Sequence, residues 1–224
     1  MNGENTARSG AAVMDLPPHA SLGLGAFLVG TILVVIGDAI YGLGYYEKKA
    51  VIPSLYMVSA VFGVVAGGLY IAGGRTLGRL TSGSWSPALV SGGITVFGYM
   101  LAVVHAFAGA IMLAQNYVLR SPQLGELALL VGDLDTAYAV LATPMFVALI
   151  VGYVCFGYAT VRGRTVFPRW SVVVNALVLC IPQQAFAEAL WFPLRAPALM
   201  GGIHLCILLI LLRRARTNQR APGA

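Results

Sequence analysis

The sequence predicts an all-α protein, a polytopic bundle of transmembrane helices. Hydrophobic residues make up 58% of the 224 residues and charged residues only 10%. The mean hydropathy of +0.83 lies outside the usual range of soluble domains. The apolar residues also fall into separate stretches, most of them close to the ~20 residues that a helix needs to cross ~30 Å of hydrocarbon. Six spanning helices are therefore expected, at residues 21–46, 51–74, 87–113, 138–161, 171–192 and 197–213.

The segments outside these spans complete the predicted organisation. Residues 1–20 lack the basic region and the small-residue cleavage site of a secretory signal, so we expect a flexible, retained tail followed by a signal-anchor helix. Residues 21–213 then form a single domain, and residues 214–224 form a basic tail. Segment 123–136 has the apolar spacing of a short amphipathic helix lying in the membrane interface. If this segment inserts instead, the bundle has seven spanning helices.

Basic residues are divided unevenly between the two sets of alternating loops, and this bias predicts the orientation. The set that includes both termini holds ten lysines and arginines, and the other set holds four. By the positive-inside rule, both termini are expected in the cytoplasm. The net charge of +6 then reflects topology and contact with anionic membrane lipids, and not a nucleic-acid partner.

Four ionisable residues lie within the predicted spans. A charge-capable side chain in hydrocarbon costs roughly 2.5–3.5 kcal/mol on insertion scales, so such residues usually mark a functional site. At ~1.5 Å per residue, all four map to the outer half of the bilayer. We therefore predict one polar pocket in that half, with four candidate catalytic residues, Asp38, His105, Glu188 and His204.

Helical spacing predicts what surrounds these four residues. Thr31, Asp38 and Tyr41 share one face of the first span, which should look inward. Gln184 and Glu188 share a face of the fifth span, where Pro182 is expected to kink the helix. The expected substrate-binding residues are Tyr41, Tyr45, Tyr56, Phe107, Gln184, Phe186 and Trp191.

A structural interpretation stands beside the functional one for each of these residues. Asp38 and the histidines could instead hydrogen-bond between packed helices, and Glu188 could be a solvated helix end. The tyrosines and Trp191 could belong to an interfacial aromatic belt.

No metal or cofactor is predicted. The histidines lack the i, i+4 spacing that places two zinc ligands on one helix, and the three cysteines, Cys155, Cys180 and Cys206, are isolated. Neither a phosphate-binding glycine loop nor a dinucleotide fingerprint is present. The glycines read as helix-packing positions, for example the ridge of Ser59, Gly63 and Gly67, and such a face could also support a homo-oligomer.

Several motifs resemble those of a family of membrane proteins that is classed only as a domain of unknown function. They are Gly37-Asp38, the single His105, the segment Thr165-Val166-Phe167-Pro168-Arg169-Trp170 and the pair Gly201-Gly202. This resemblance implies a membrane fold and brings no activity. In architecture alone the chain is also similar to integral-membrane terpene cyclases, which usually have seven helices.

Three functions follow from the residues and remain open at this stage. A carboxylic acid placed among apolar helices keeps its proton near neutral pH and can donate it, which suits an isomerase or terpene cyclase-like lyase acting on an isoprenoid or other lipid. Aromatic faces would stabilise the cationic intermediates of such a reaction. The alternatives are a proton-coupled carrier of a small solute and a non-catalytic membrane interaction protein.

The orientation can be tested by cysteine labelling in intact cells, starting from a variant in which the three native cysteines are replaced. A cysteine introduced beside Asp133 should react with a membrane-impermeant reagent, because the segment is expected outside. A cysteine beside Arg164 should react only after the cells are opened. The opposite pattern would reverse the orientation and move the polar pocket to the other face.

Overall fold

A computed structural model describes residues 16–45, 53–120, 125–186 and 197–220, and it confirms an all-α bundle. Five helices are long and apolar enough to cross a membrane, and a sixth apolar helix is shorter. The elements are α1 (Ala20–Tyr45), α2 (Pro53–Arg79), α3 (Ser86–Arg120), α4 (Gly125–Val161), a 3-10 helix (Arg169–Val174), α5 (Ala176–Ala185) and α6 (Pro197–Arg220). The chain is therefore an integral, multi-pass membrane protein.

The predicted span at 171–192 differs from the structure. A 3-10 helix occupies 169–174, and the chain becomes extended at Asn175 (φ −58°, ψ 139°) before α5 begins. The Asn175 side chain accepts a hydrogen bond from the Leu177 amide at 3.0 Å, so it caps the new helix. The Asn175 amide also donates to the Tyr153 carbonyl at 3.2 Å, which fixes the break against α4. Pro182 lies inside α5, and residues 187–192 are outside the described part of the chain.

Segment 123–136 is not a separate interfacial helix. From Gly125 onward it forms the first turns of α4, which continues for 37 residues to Val161 and contains Pro144. No glycine or proline separates the segment from the predicted fourth span, so the helix has no sequence signal to stop there. At the other end of the chain, α6 runs to Arg220, so most of the expected basic tail is helical.

The helices pack through glycines that leave no room for a side chain. On α2, a Cβ atom at Gly67 would lie 2.8 Å from the Cβ of Ala102 on α3 and would overlap the Gly98 carbonyl. On α3, a Cβ atom at Gly93 would lie 2.6 Å from the Ala148 carbonyl of α4. The backbone of α3 is therefore in close contact with the backbones of α2 and α4, as is common where membrane helices meet at small residues.

The two ends of the described chain lie close together at one end of the bundle, which we call the basic end. The guanidinium of Arg216 on α6 donates to the Ser21 hydroxyl at 2.9 Å and to the carbonyls of Pro17 and Pro18 at 2.7 and 2.9 Å. Gly23 of α1 contacts Thr76 near the end of α2, so the loop after α2 lies at this end as well. The arginines there are Arg75, Arg79, Arg162, Arg164, Arg169, Arg213, Arg214 and Arg216. That this end faces the cytoplasm stays a prediction.

The packing of α2 on α3 can be tested with two neighbouring glycines. Gly67→Ala should destabilise the protein by ~1–3 kcal/mol, because the added methyl group overlaps the α3 backbone. Gly68→Ala is the matched control, since a Cβ atom at Gly68 meets open space. Thermal melting in detergent should show a loss for Gly67→Ala only. Equal melting temperatures for the two variants would contradict the close approach.

Candidate functional site

Two of the four predicted ionisable residues form a pair between α1 and α3. The Nε2 atom of His105 lies 3.6 Å from Oδ1 of Asp38. The histidine is buried, whereas 33% of the Asp38 side chain is exposed. The pair sits well inside the spanning region, about 27 Å along α1 from Ala20. One member is thus fixed in the protein and the other can be reached from outside the bundle.

Helix α2 makes this pair possible because it presents no side chain where the imidazole lies. A Cβ atom at Gly63 would overlap Cβ and Cγ of His105. One turn earlier on α2, the Ser59 hydroxyl donates to the carbonyl of Gly37 at 3.0 Å, directly before Asp38. The predicted glycine ridge therefore holds α1 and α3 together within one chain, and Gly63 and Gly67 are occupied by contacts inside the protein.

The hydrogen bonding of His105 fixes which ring nitrogen faces Asp38. Its Nδ1 atom lies 3.0 Å from the Leu101 carbonyl oxygen, and a carbonyl only accepts, so Nδ1 carries a hydrogen. Nε2 then faces the Asp38 carboxyl group. A carboxyl group opposite the free ring nitrogen of a histidine is the geometry of an acid–base pair.

Two predicted aromatic residues complete this cluster. The Tyr41 hydroxyl donates to the His105 backbone carbonyl at 3.1 Å, and the centroids of the two rings are 6.0 Å apart. The Tyr41 ring is stacked on the buried ring of Tyr56, with centroids 6.5 Å apart and 13° between the planes. These rings give the pair an aromatic boundary on one side.

Other predicted lining residues do not join the cluster. Phe107 is half-buried on α3 but is two positions from His105, so it points to another side of the helix. On α5, Gln184 is exposed and Phe186 is 65% exposed, whereas the neighbouring Gln183 is buried. Tyr45 lies in the last turn of α1, and its side chain is not described. Glu188 and Trp191 lie outside the described residues.

His204 occupies a different level of the bundle. It is fully buried on α6, with ring centroids 5.5 Å from Tyr153 and 5.8 Å from Phe156. One turn before it, Gly201 lies beside Thr31 of α1, seven residues from Asp38 toward the basic end. The two sites are therefore at least ~10 Å apart along the bundle. Within the described part of the chain, neither ring nitrogen of His204 has a hydrogen-bond partner.

Several polar groups lie between the level of Asp38 and the level of His204, and the sequence predicted only some of them. The Thr31 hydroxyl lies 3.0 Å from the Phe27 carbonyl and 3.2 Å from the Tyr70 hydroxyl. Thr31 could be found from its helical spacing to Asp38, whereas Tyr153 and Gln183 stand in apolar stretches without a distinguishing pattern. The Thr31–Tyr70 pair lies between Asp38 and the His204–Tyr153 contact.

An open apolar groove of about 350 Å³ runs between α2 and α3 on the bundle surface. Ala60 and Gly109 form part of its wall, and the same two residues pack beside Tyr56 and Tyr41. The groove is lined by Met57, Ala60, Val61, Val64, Val65, Ala106, Gly109, Ala110 and Leu113. It is suited to hydrocarbon chains and does not include the ionisable pair.

Asp38 and His105 supply only two of the ligands that a metal ion would need. Among the residues that the structure describes, no three histidine, cysteine or acidic side chains come close enough to hold one.

Comparison with known proteins gives no relative for this chain. No protein-family model, curated protein or solved structure matches it. The resemblances drawn from the sequence motifs and from the architecture therefore gain no further support.

The tautomer of His105 can be tested by ¹⁵N solid-state NMR of histidine-labelled protein in lipid. His105 should appear as the neutral Nδ1–H form or as imidazolium, because Nδ1 donates to Leu101. Signals are assigned by comparison with His105→Gln. Asp38→Asn should keep the hydrogen on Nδ1, because the Leu101 carbonyl and not Asp38 fixes it. A neutral Nε2–H form in the unaltered protein would contradict the arrangement.

Proposed function

We propose that this protein is a membrane-embedded enzyme in which the Asp38–His105 pair transfers its proton to a hydrophobic substrate. The observation that carries the proposal is the pair itself, with Nε2 of His105 3.6 Å from Oδ1 of Asp38 and Nδ1 held by the Leu101 carbonyl. Asp38 is the partly exposed member, so it donates to the substrate. His105 is held by Leu101 and Gly63, so it orients the acid and receives or returns the proton.

The supported reaction is isomerisation or cyclisation of an isoprenoid or related alkene. The Asp38 proton adds to one carbon of a double bond, whose π electrons form the new C–H bond and leave a cation on the neighbouring carbon. Loss of a different proton to the carboxylate then gives an isomerised alkene, and attack by a second double bond before that loss gives a ring. No oxidant or reductant is consumed. The rings of Tyr41 and Tyr56 lie beside the pair, where aromatic faces stabilise cations.

Access from the bilayer fits the exposure pattern around Asp38. The Asp38 side chain itself is 33% exposed. A lipid-soluble substrate could therefore approach Asp38 sideways from the hydrocarbon. In this proposal Glu188 remains a second acid, and Tyr45 and Trp191 remain part of the binding surface. His204, Phe107, Gln184 and Phe186 carry less of the proposal, because His204 packs on Tyr153 and Phe156, whereas Gln184 and Phe186 are exposed.

A proton-coupled carrier is the second candidate, and the buried polar groups below the pair favour it. Thr31 and Tyr70 are within hydrogen-bonding distance, and His204 lies beyond them toward the basic end. The imidazole of His204 is buried and has ring nitrogens with no partner among the described residues, so it could accept and release a proton. This series adds polar groups between the pair and the basic end.

Deuterium transfer tests the enzyme without knowledge of the product. The protein is incubated in D₂O with a panel of isoprenoids, and the recovered lipids are analysed by mass spectrometry. Asp38→Asn should reduce deuterium incorporation at least ~100-fold, because the amide keeps the shape but lacks an acidic proton. Glu188→Gln should be impaired as well. Asp133→Asn is the control and should react normally.

Two further measurements separate the candidates. A carrier would show proton uptake into liposomes that His204→Leu and Tyr70→Phe abolish, with no deuterium in recovered lipid. The enzyme would show deuterium transfer that these two substitutions leave largely intact. If Asp38→Asn changes neither readout and lowers only the melting temperature, the pair is a packing contact and the non-catalytic interpretation is correct.

A further inference from the structure

Two loops at the basic end form one rigid platform. They are the loop between α2 and α3, residues 80–86, and the loop after α4, residues 162–170. The Ser82 amide donates to the Arg164 carbonyl at 2.7 Å, and the Val166 amide donates to the Leu80 carbonyl at 3.4 Å. Thr81 and Thr165 form an isolated antiparallel bridge between the loops. The backbone positions that carry the platform side chains are therefore fixed relative to one another.

Three exposed arginines project from this platform. The guanidinium of Arg162 lies over the Tyr158 ring, 5.4 Å from its centroid. Tyr158 is in turn stacked with Trp85, with centroids 5.6 Å apart. Arg164 and Arg169 lie against the glycines of the turns: Nη1 of Arg164 is 3.5 Å from the Cβ position of Gly83, and Nε of Arg169 is 3.4 Å from that of Gly163. Those glycines have φ values of +117° and +67°, which favour glycine.

The positive charge of the platform is not balanced by the rest of the described chain. The acidic residues in the described ranges are Asp38 and three residues in the first turns of α4, Glu126, Asp133 and Asp135. The first is deep in α1, and the others lie at the opposite end of α4 from Arg162. Within these ranges the platform arginines therefore have no carboxylate partner.

Aromatic residues place the platform at the depth of lipid headgroups. Trp85 lies just before α3, Tyr158 lies in the last turn of α4, and Trp170 follows Arg169. Their exposed fractions are 44%, 40% and 55%. Exposed tryptophan and tyrosine at the ends of spanning helices occupy the membrane–water interface. The arginines beside them therefore meet headgroups, and not the hydrocarbon core.

We propose that this platform is a binding site for an anionic phospholipid. Arg162 and Arg164 hold the headgroup phosphate, which guanidinium groups bind through paired hydrogen bonds. The Trp85–Tyr158 stack packs against the glycerol and upper acyl region and holds the Arg162 guanidinium in place. The site is independent of the Asp38–His105 pair and goes beyond the proposed function.

Native mass spectrometry of protein released from nanodiscs of equal phosphatidylglycerol and phosphatidylcholine tests this site. The unaltered protein should retain phosphatidylglycerol selectively. The double variant Arg162→Gln/Arg164→Gln should retain it on the order of 10-fold less, because it removes the guanidinium hydrogen bonds to the headgroup phosphate. Arg213→Gln/Arg214→Gln removes the same charge from exposed positions of α6 at the same end and should change retention less than twofold.

A charge-neutral variant separates the built site from general attraction. Tyr158→Leu keeps every arginine but removes the ring under Arg162, so selective retention should fall although net charge is unchanged. Melting temperatures identify any variant that is unfolded, and Tyr158→Leu or the conservative Arg162→Lys then decides the question. The proposal is overturned if the unaltered protein retains both lipids equally, if the two double variants lose retention equally, or if the folded charge-neutral variants retain lipid normally.

Discussion

The contact between His105 and the bare backbone at Gly63 is the constraint on which the candidate site depends. The imidazole occupies the volume that a side chain at Gly63 would fill, so α3 can approach α2 while its histidine reaches across to α1. One turn earlier on the same face of α2, Ser59 holds the backbone at Gly37, next to Asp38. A helix that contributes no ionisable side chain to the pair thus sets the distance between Asp38 and His105.

The Leu101 carbonyl decides what the pair can do once it is assembled. By occupying Nδ1, it leaves Nε2 as the only ring atom that can exchange a proton with Asp38. The pair can remain neutral, as acid and imidazole, which limits the free-energy cost of burying it within a membrane span. It can also become two opposite charges without taking up a proton from outside. This property suits proton donation to a substrate and proton relay equally well. Proton transfer to lipid and proton transfer across the bilayer therefore need separate measurements.

The sequence predicted the parts of the site that follow from the free-energy cost of ionisable residues in a membrane and from helical spacing. Asp38 and His105 stand out because ionisable residues are rare in spans, and Tyr41 follows from its helical spacing to Asp38. The prediction for Gln184 did not anticipate the 3-10 helix and the break at Asn175, which set a new starting point for α5 and bury Gln183 instead. His204 was assigned the level of Asp38 on the assumption that all spans end at one height. In the structure α6 continues to Arg220, and its Gly201 is level with Thr31.

The depth of the bundle in the membrane depends on the basic end and determines the surroundings of Asp38. Asp38 is about 27 Å along α1 from Ala20, so a shift of the bundle by a few residues would carry its carboxyl group into the headgroup layer. Arg216 ties the start of α1 to α6, and the rigid loops around Thr81 and Thr165 carry exposed tryptophans at the interface. Anchoring at the basic end therefore sets the depth of α1, and with it the surroundings of Asp38. A headgroup held by Arg162 and Arg164 would strengthen this anchor and keep the acid facing hydrocarbon, where a lipid-soluble substrate would meet it.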